Sequence, residues 1–348
     1  MNNFSLREIK AGEPFDPLTL CPVAPFTQAE FYGLWQKNLG RKIGRFLIND
    51  RNEPIAYFQL IKYPLNRRQN YFYIPYGPVI KILSEQFLTY FRSELLKIAK
   101  RERVVFTRLD FTPPPSDALR LKKFFQKSFL CTYRAAYFQP RTEWFLSLTK
   151  SEDEIFRAIH EKTRYSIKLA GRKGIISEIV TGNFPEYFEI FYELLLETAQ
   201  RNGFHLHEIK YYQSIFDNLQ FVPKTYLVVA RYQGKILVVN LIIIFGQTAN
   251  YVFGGSSNQH RNLCASYSAQ WAAICHAKEL GCRDYNFGGI ATDDKIYRSW
   301  DGLTRFKQRF GGRQIIHSDF YDLVTKPFWY WLYNFAKLIK WAAKGLNL

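Results

Sequence analysis

The features that the sequence lacks already limit the class of protein to which it can belong. Its opening residues, MNNFSLREIKAGEPF, hold no apolar segment of the kind found in a secretion signal, so we expect none. No apolar run is long enough to cross a bilayer. The longest, Ile236 to Phe245, is interrupted by Asn240, is rich in β-branched residues and is typical of a buried strand. These absences argue against an exported or membrane-spanning protein.

Cysteine is sparse and shows no pattern. The five cysteines have no C-x-x-C spacing and an odd count, which favours a reduced, cytoplasmic protein. They are Cys21, Cys131, Cys264, Cys275 and Cys282. The one close histidine pair, His205 and His207, has no neighbours that complete a tetrahedral set, so we expect no metal site.

Acidic residues are scarce relative to basic ones. The 48 lysines and arginines outnumber the 30 acidic residues, for a net charge of +18 and a pI near 9.6. Such a field favours polyanionic partners: RNA, anionic lipid head groups or phosphorylated small molecules. The hydrophobic content of 47% is ample for folded cores, and 348 residues predict two domains.

The two halves of the chain repeat one order of predicted elements. In the first half, RFLINDRNEPIAYFQLIKY predicts two strands joined at Asp50-Arg51-Asn52; the strand NYFYIPYGPV, a helix over 84–101 and the strand VVFTRLDF follow. In the second half, TYLVVARYQGKILVVNLIIIF turns at Gln233-Gly234; ANYVFGGSS, a helix over 266–280 and CRDYNFGG follow. The recurrence, about 180 residues apart, predicts a duplicated domain.

Helical stretches precede each copy, at 28–39 in the first and at 151–173 and 185–200 in the second. Two helices, an antiparallel meander, a helix and a further strand form the α+β unit of N-acyltransferases of the GNAT-like kind. By analogy of element order, the sequence therefore predicts two tandem GNAT-like domains.

A glycine-rich phosphate loop is also missing. Acetyl-transferring GNAT proteins cradle the coenzyme A pyrophosphate on backbone N–H groups between the third strand and the next helix. Here that loop, 258–266, has Cys264 where glycine is wanted, and the first copy has Gly77-Pro78, whose proline removes a donor. We therefore expect an acyl donor other than coenzyme A.

Three cations surround two phenylalanines in GLTRFKQRFGG, residues 302–312. Apolar residues recur at the spacing of one helix face, namely Leu303, Phe306 and Phe310. Gly311-Gly312 then supplies the left-handed residue that ends such a helix. The pattern predicts Phe306 and Phe310 as buried anchors, with Lys307 projecting from the first turn. A solvated amphipathic helix is the alternative for this stretch taken alone.

With YNFGG at 285–289 before it, this stretch resembles the Fem family of non-ribosomal peptidyltransferases. Other segments match that family in the same order and together span roughly 35 to 312. They are Trp35-Gln36-Lys37 with Leu39–Lys42, Lys162–Ile175, Arg201–Phe204, Tyr211-Tyr212 and Tyr251.

The resemblance implies two GNAT-like domains that move an amino acid from aminoacyl-tRNA onto the stem peptide of a cell-wall precursor. It assigns 1–145 with 314–348 to the precursor side and 146–313 to the transfer side. Aminoacyl-tRNA is then a co-substrate, and no cofactor is expected. No heptad pattern runs between Ser151 and Phe204, so the chain resembles the compact type without a helical arm.

The same resemblance implies roles for eight residues. Lys307 and Phe306 match the family's catalytic F-K pair, and Lys307 would stabilise the tetrahedral oxyanion. The positions implied in substrate binding are Lys37, Arg41, Lys42, His207, Tyr211 and Tyr251. Asp110 and the tyrosines are candidates to accept the proton of the attacking amine, with solvent or the leaving oxygen as the alternative.

One position departs from the family. His207 stands where many members have an arginine, and histidine cannot reproduce a two-pronged phosphate contact. We expect Lys37, Arg41 or Lys42 to take more of the pyrophosphate charge. An ordinary surface role for His207 and a core role for Tyr251 stay open.

The tail KPFWYWLYNFAKLIKWAAKGLNL places apolar and aromatic residues on one helical stripe with lysines mainly off it. This predicts an interfacial helix that contacts the inner membrane surface through 327–348. The alternative is a helix that folds back and buries its stripe on the first domain. Two other functions stay open: a coenzyme A-dependent N-acetyltransferase, and a non-catalytic membrane-surface or RNA-binding protein.

Overall fold

The structure is a computed structural model that describes residues 3–81, 83–110, 123–124, 130–131, 139–222, 224–291 and 300–343. The chain forms two compact units. Unit 1 comprises Met1–Gln139 and His317–Leu348, and unit 2 comprises Pro140–Ile316. Unit 1 is therefore built from both ends of the chain.

Both units contain helices and strands, numbered in chain order. The first are β1 (Phe4–Glu8), α1 (Glu30–Asn38), β2 (Lys42–Asp50), β3 (Glu53–Pro64), β4 (Asn70–Ile74), β5 (Val79–Ile80), α2 (Glu85–Arg101), β6 (Phe106–Leu109) and β7 (Leu130–Cys131). Next come β8 (Thr142–Ser147), α3 (Glu152–Ala158), α4 (Glu161–Arg172), β9 (Ile176–Val180), α5 (Phe188–Asn202), α6 (Ile209–Asn218), β10 (Thr225–Tyr232), β11 (Lys235–Phe245) and β12 (Thr248–Ser256). The last are α7 (Ala265–Glu279), β13 (Asp284–Gly289), α8 (Asp301–Gln308), β14 (Arg313–Ile316), β15 (Tyr321–Val324) and α9 (Pro327–Ala343).

Each unit is organised around one sheet. In unit 1 the strand order is β1-β2-β3-β4-β6-β15-β7, and β5 pairs with β3. In unit 2 the order is β14-β8-β13-β12-β11-β10-β9. The pairs β4–β6 and β12–β13 are parallel, and each lies in the middle of its sheet. The predicted α+β class with two tandem GNAT-like domains is confirmed.

Local chemistry explains the repeated hairpins. The β2–β3 turn has positive φ at Arg51 (50°) and Asn52 (72°), and the β10–β11 turn has positive φ at Gln233 (48°) and Gly234 (78°). Two successive left-handed residues match the right-handed twist of the flanking strands. Both turns lie where the sequence predicted them. The strand predicted to reach Phe111 ends, as described, at Leu109; Phe111 lies outside the described residues.

The longer helices also follow from their sequences. Ser84 caps α2 by accepting the N–H of Phe87 at 3.0 Å, and the buried stripe of α2 (Phe87, Leu88, Phe91, Leu95 and Ile98) joins the core of unit 1. The predicted helical stretch over 151–173 is two helices, because Ile159 leaves the helical conformation and His160 caps the second.

The C-terminal segment is bound to unit 1 by a buried ion pair. Arg108 of β6 donates to both carboxylate oxygens of Asp322 of β15, at 2.8 and 2.7 Å, and Tyr330 of α9 donates to Asp322 at 2.9 Å. The Arg108 and Asp322 side chains are almost fully buried. Two long-range charges therefore hold the last strand in the sheet.

Candidate active site

Lys307 lies in the last turn of α8, not in the first turn as predicted, because the helix already begins at Asp301. Its Nζ donates a hydrogen bond to the carbonyl oxygen of Gly289, at the end of β13, over 2.5 Å. Gly311 follows the helix with φ of 83°, as the glycine pair predicted. At Gly312 a Cβ would collide with the carbonyl oxygen of Phe145, so only glycine fits there.

Aromatic packing holds the turn that carries Lys307. Phe310 is fully buried and Phe306 partly so. The ring of Tyr267 lies 5.1 Å from that of Phe306, and Phe287 lies 5.6 Å from Phe310. Because both flanking rings are locked against the core of unit 2, the lysine stem between them has little freedom.

The ammonium of Lys307 is poorly solvated. Burial lowers its pKa to about 8, and the more distant carboxylate of Glu143 acts in the opposite direction. Among the described residues, no carboxylate oxygen lies within 4.0 Å of the Lys307 Nζ. A perturbed ionisable group of this kind marks a candidate functional site.

Beside Lys307 the two parallel strands separate. β12 and β13 pair from Thr248↔Asp284 to Asn250↔Asn286, and their ladder ends there. Asn286 turns its side chain onto the N–H of Gly288, at 2.8 Å, where φ is 75°. A Cβ on Gly288 would lie 3.5 Å from the Tyr251 carbonyl oxygen and 3.9 Å from the Lys307 Nζ. Glycine thus leaves the position beside the cation without a side chain.

Tyr251 lies at the bulge in β12, with its side chain partly buried. Its hydroxyl lies so close to Gly254 that a Cβ there would collide with it. Burial raises the pKa of Tyr251 well above its usual value, so the hydroxyl stays protonated and can donate. The side chain thus packs against the core of unit 2 and carries a polar end.

His207 and Tyr211 form a second group in unit 2. His207 is exposed, and its ring lies 4.3 Å from the Tyr211 ring. The backbone N–H of His207 donates to the hydroxyl of the buried Tyr212 at 3.2 Å. Tyr211 also meets the edge of Phe253, two residues along β12 from Tyr251. The structure therefore brings His207 and Tyr211 together on the β12 side of unit 2.

The predicted residues of unit 1 have unequal surroundings. Lys37 is exposed in the last turn of α1. Arg41 lies over the Tyr63 ring at 4.2 Å and also donates to Gln36. Lys42 pairs with Glu102 at 3.0 Å, a carboxylate that Lys62 also contacts. Sequence reasoning missed Glu102, which lies 60 residues from Lys42.

Asp110 is buried in unit 1, directly after β6. Its carboxylate accepts from the Tyr73 hydroxyl at 3.0 Å and from the Tyr76 N–H at 2.8 Å. Burial raises the pKa of Asp110 to about 7, and the nearby His317 opposes that shift. The His317 ring lies 4.4 Å from the Tyr76 ring, a neighbour that no local sequence pattern could reveal.

The loop before α7 has positive φ angles that are typical of glycine, but it contains no glycine. His260 and Cys264 have φ of 54° and 60°, and Cys264 directly precedes the helix. A side chain thus projects where a pyrophosphate would need open backbone. That the donor is not coenzyme A stays a prediction. The described residues contain no group of three metal-ligating side chains, and none of their helices is both long and apolar enough to cross a membrane.

Two GNAT-like units in one chain, one of which holds a desolvated lysine where its parallel strands separate, define a tandem GNAT-fold protein. The chain belongs to the FemAB family, whose sequence profile matches residues 120–241 and 230–338. As in the compact members, the described residues between Ser151 and Phe204 contain no long helical arm.

Individual relatives agree with this membership. A lipid II:glycine glycyltransferase of Staphylococcus aureus is 22% identical over 311 residues, an alignment that covers 69% of this chain and 73% of the relative. The crystal structure of FemX superposes with a TM-score of 0.80 at 19% identity, covering 94% of this chain and 99% of FemX. A tandem GNAT protein from the clavulanic acid biosynthesis pathway gives a TM-score of 0.59 at 10% identity, with 92% and 98% covered.

Proposed function

We propose that this protein transfers an amino acid from aminoacyl-tRNA to the amine of a peptidoglycan-precursor stem peptide, and that Lys307 stabilises the tetrahedral oxyanion. Family membership supports a transferase, and the name of the S. aureus relative supports a precursor such as lipid II as acceptor. The observation that carries the proposal is the desolvated Lys307 ammonium, which lies beside Gly288 and Gly289 where the parallel strands separate.

The proposed aminoacyl transfer requires little from the protein besides a fixed cation. The stem-peptide amine attacks the ester carbonyl carbon, a C–N bond forms, and the carbonyl oxygen becomes an oxyanion. Collapse breaks the C–O bond to the ribose, and the amine's proton ends on that leaving hydroxyl, directly or through water. One N–H of Lys307 donates to Gly289; its other two have no partner among the described residues and can donate to the oxyanion. One such contact contributes about 10²–10³ in rate.

The remaining residues are proposed to hold substrates. Lys37 is exposed and makes no described ion pair, so it suits the precursor's pyrophosphate better than Lys42, which pairs with Glu102. Arg41 lies over the Tyr63 ring and is partly exposed as a residue. Tyr211, Tyr251 and His207 supply hydroxyl and ring groups for the acceptor. Phe306 positions Lys307, since its ring packs on Tyr267.

Two acyl donors, aminoacyl-tRNA and acetyl-coenzyme A, distinguish the proposal from its alternatives. Purified protein would be incubated with pooled aminoacyl-tRNA and with either nucleotide-linked or lipid-linked precursor, and separately with acetyl-coenzyme A. We expect an amino acid on the precursor and no acetyl transfer. Acetylation without aminoacyl transfer would favour the N-acetyltransferase, and no transfer from either donor would favour a binding protein.

Two lysine substitutions, one at the candidate site and one at a control position, test the role of Lys307. Lys307→Met should lower turnover about 10²–10³-fold with little change in precursor binding. Lys278→Met is the matched control, because Lys278 is also half-buried in unit 2 and donates to a backbone carbonyl, that of Leu148, at 3.0 Å. Near-normal turnover by Lys307→Met, or an equal loss in the control, would contradict the assignment.

A further inference from the structure

The helix α9 has one face bound to unit 1. Tyr330 is buried, and its ring and that of Tyr333 pack on Phe106 at 5.3 and 5.5 Å. The Tyr330 hydroxyl reaches the buried Asp322. This face is aromatic with polar ends, and it differs from the apolar stripe that the sequence shows. The helix therefore folds back without burying that stripe.

The apolar stripe of α9 is exposed along its described length. Its side chains lie three or four positions apart and are between 38% and 68% exposed. They are Phe328, Trp331, Leu332, Phe335, Leu338 and Ile339. Trp331 and Phe335 stack in parallel at 5.4 Å. A contiguous apolar surface of this kind marks an interaction site. Residues 344–348 of the predicted tail lie outside the described residues.

Basic charge borders this stripe, and acidic charge is missing from it. No aspartate or glutamate follows Asp322 in the sequence, whereas four lysines do, at 326, 337, 340 and 344. Of these, Lys337 is partly buried and lies over the Tyr333 ring, on the packed face of the helix. At the start of α9, the Lys326 Nζ donates to Gln69 at 3.0 Å. That contact places the exposed Arg67 and Arg68 beside the helix. The stripe thus has a cationic border at its N-terminal end.

We infer that the exposed stripe of α9 lies in the interface of an anionic membrane. A 17-residue helix with aromatic and aliphatic side chains on one face fits the head-group layer, and basic side chains at its border attract anionic lipid. A second copy of the chain fits less well, because a twofold contact through α9 would bring two cationic borders together. This inference is independent of the transfer reaction.

Vesicle binding by the intact chain tests the inference. Wild type should co-sediment with phosphatidylglycerol vesicles, less at high salt, and much less with phosphatidylcholine. Replacing Trp331, Phe335 and Ile339 together by Gln should weaken binding about tenfold or more, since three large side chains no longer leave water. A control carries Gln at Val23, Ile176 and Phe221, which are exposed apolar residues outside α9 in the sequence.

A second variant addresses the border. Arg67→Glu with Arg68→Glu should lower binding to phosphatidylglycerol and leave the weak binding to phosphatidylcholine unchanged. Thermal melts check that every variant folds. The inference is overturned by equal binding of the stripe variant and its control, or by a wild type that binds no vesicle. Light scattering that shows a dimer dissociated by the stripe substitutions, without vesicle binding, assigns the stripe to a second copy.

Discussion

The two units share a strand order but differ at the position just beyond their parallel strand pair. In unit 1, β4 and β6 pair as far as Ile74↔Leu109, and the buried carboxylate of Asp110 comes next, held by Tyr73 and Tyr76. In unit 2 the equivalent pair ends at Asn250↔Asn286, the buried ring of Phe287 comes next, and Gly288 follows it near the Lys307 Nζ. Beyond the strand pair, unit 1 therefore has a network of buried polar side chains, whereas unit 2 has a buried ring and a glycine beside Lys307.

The two units also differ in the partners of their buried charges. Arg108 in unit 1 has a carboxylate partner with both oxygens engaged. In unit 2 the hydrogen-bond partner of Lys307 is a carbonyl oxygen, and the pKa of Lys307 is lowered. A paired buried charge is consistent with a structural role, whereas a desolvated cation with no close carboxylate among the described residues lowers stability and suits chemistry. Removing each charge should therefore change stability in opposite directions.

The largest effect is expected in unit 1. Asp322→Ala leaves Arg108 buried without its carboxylate and removes the acceptor of Tyr330, so it should lower the free energy of unfolding by about 3–5 kcal/mol. Urea unfolding followed by circular dichroism measures this. Glu178→Ala breaks the partly exposed pair with Arg231 and should lose less than about 1 kcal/mol. Similar losses in both variants would remove the distinction.

The opposite sign is expected in unit 2. Lys307→Met should raise the free energy of unfolding by about 1–2 kcal/mol at pH 7. The substitution removes a desolvated charge, and the loss of the hydrogen bond to Gly289 offsets part of that gain. Below pH 8 the lysine is charged in both folded and unfolded protein. Between about 8 and 10.5 the folded protein releases its proton first, so wild-type stability rises with pH and the gain of the variant shrinks.

Unfolding curves from pH 7 to 10.5 check this sign. Lys278→Met is again the control, since any gain shared by both variants reflects methionine and not the site. A Lys307→Met protein that is less stable than wild type at pH 7 would mean that its charge is compensated in the folded state.

The smallest effect concerns the tyrosine hydroxyls of unit 2. Tyr211→Phe and Tyr251→Phe each remove one hydrogen-bonding group and keep the ring, so each should weaken binding of nucleotide-linked precursor about 3–10-fold by calorimetry. Tyr232→Phe is the matched control, because its ring lies beside His260 much as Tyr211 lies beside His207. An unchanged dissociation constant in both variants would leave these tyrosines with a packing role.

Local signals predicted the local structure well. The two left-handed hairpin turns, the capped helix α2 and the glycine pair after α8 each depend on a few adjacent residues. The start of α8 was misplaced because the helix begins at Asp301 directly after Trp300, which has no side-chain cap that would mark an N-terminus in the sequence. This error moved Lys307 from the last turn to the first.

Long-range contacts could not be predicted in the same way. Nothing near Arg108 in the sequence indicates Asp322, and nothing near Tyr76 indicates His317. In α9 the periodicity correctly grouped the apolar residues, but which face packs depends on Phe106 and Asp322, which lie in other elements. The pKa of Lys307 depends likewise on burial that only the folded unit creates.

The insertion of β15 between β6 and β7 bears on how the protein is made. Arg108 and Asp322 are 214 residues apart, and the whole of unit 2 is synthesised between them. A ribosome adds about 5–20 residues per second, so β6 waits about 10–40 s for its neighbouring strand. Unit 2 is continuous and can complete its sheet during that time. The unit that begins first is thus completed last, and its open strand edge needs protection until translation ends.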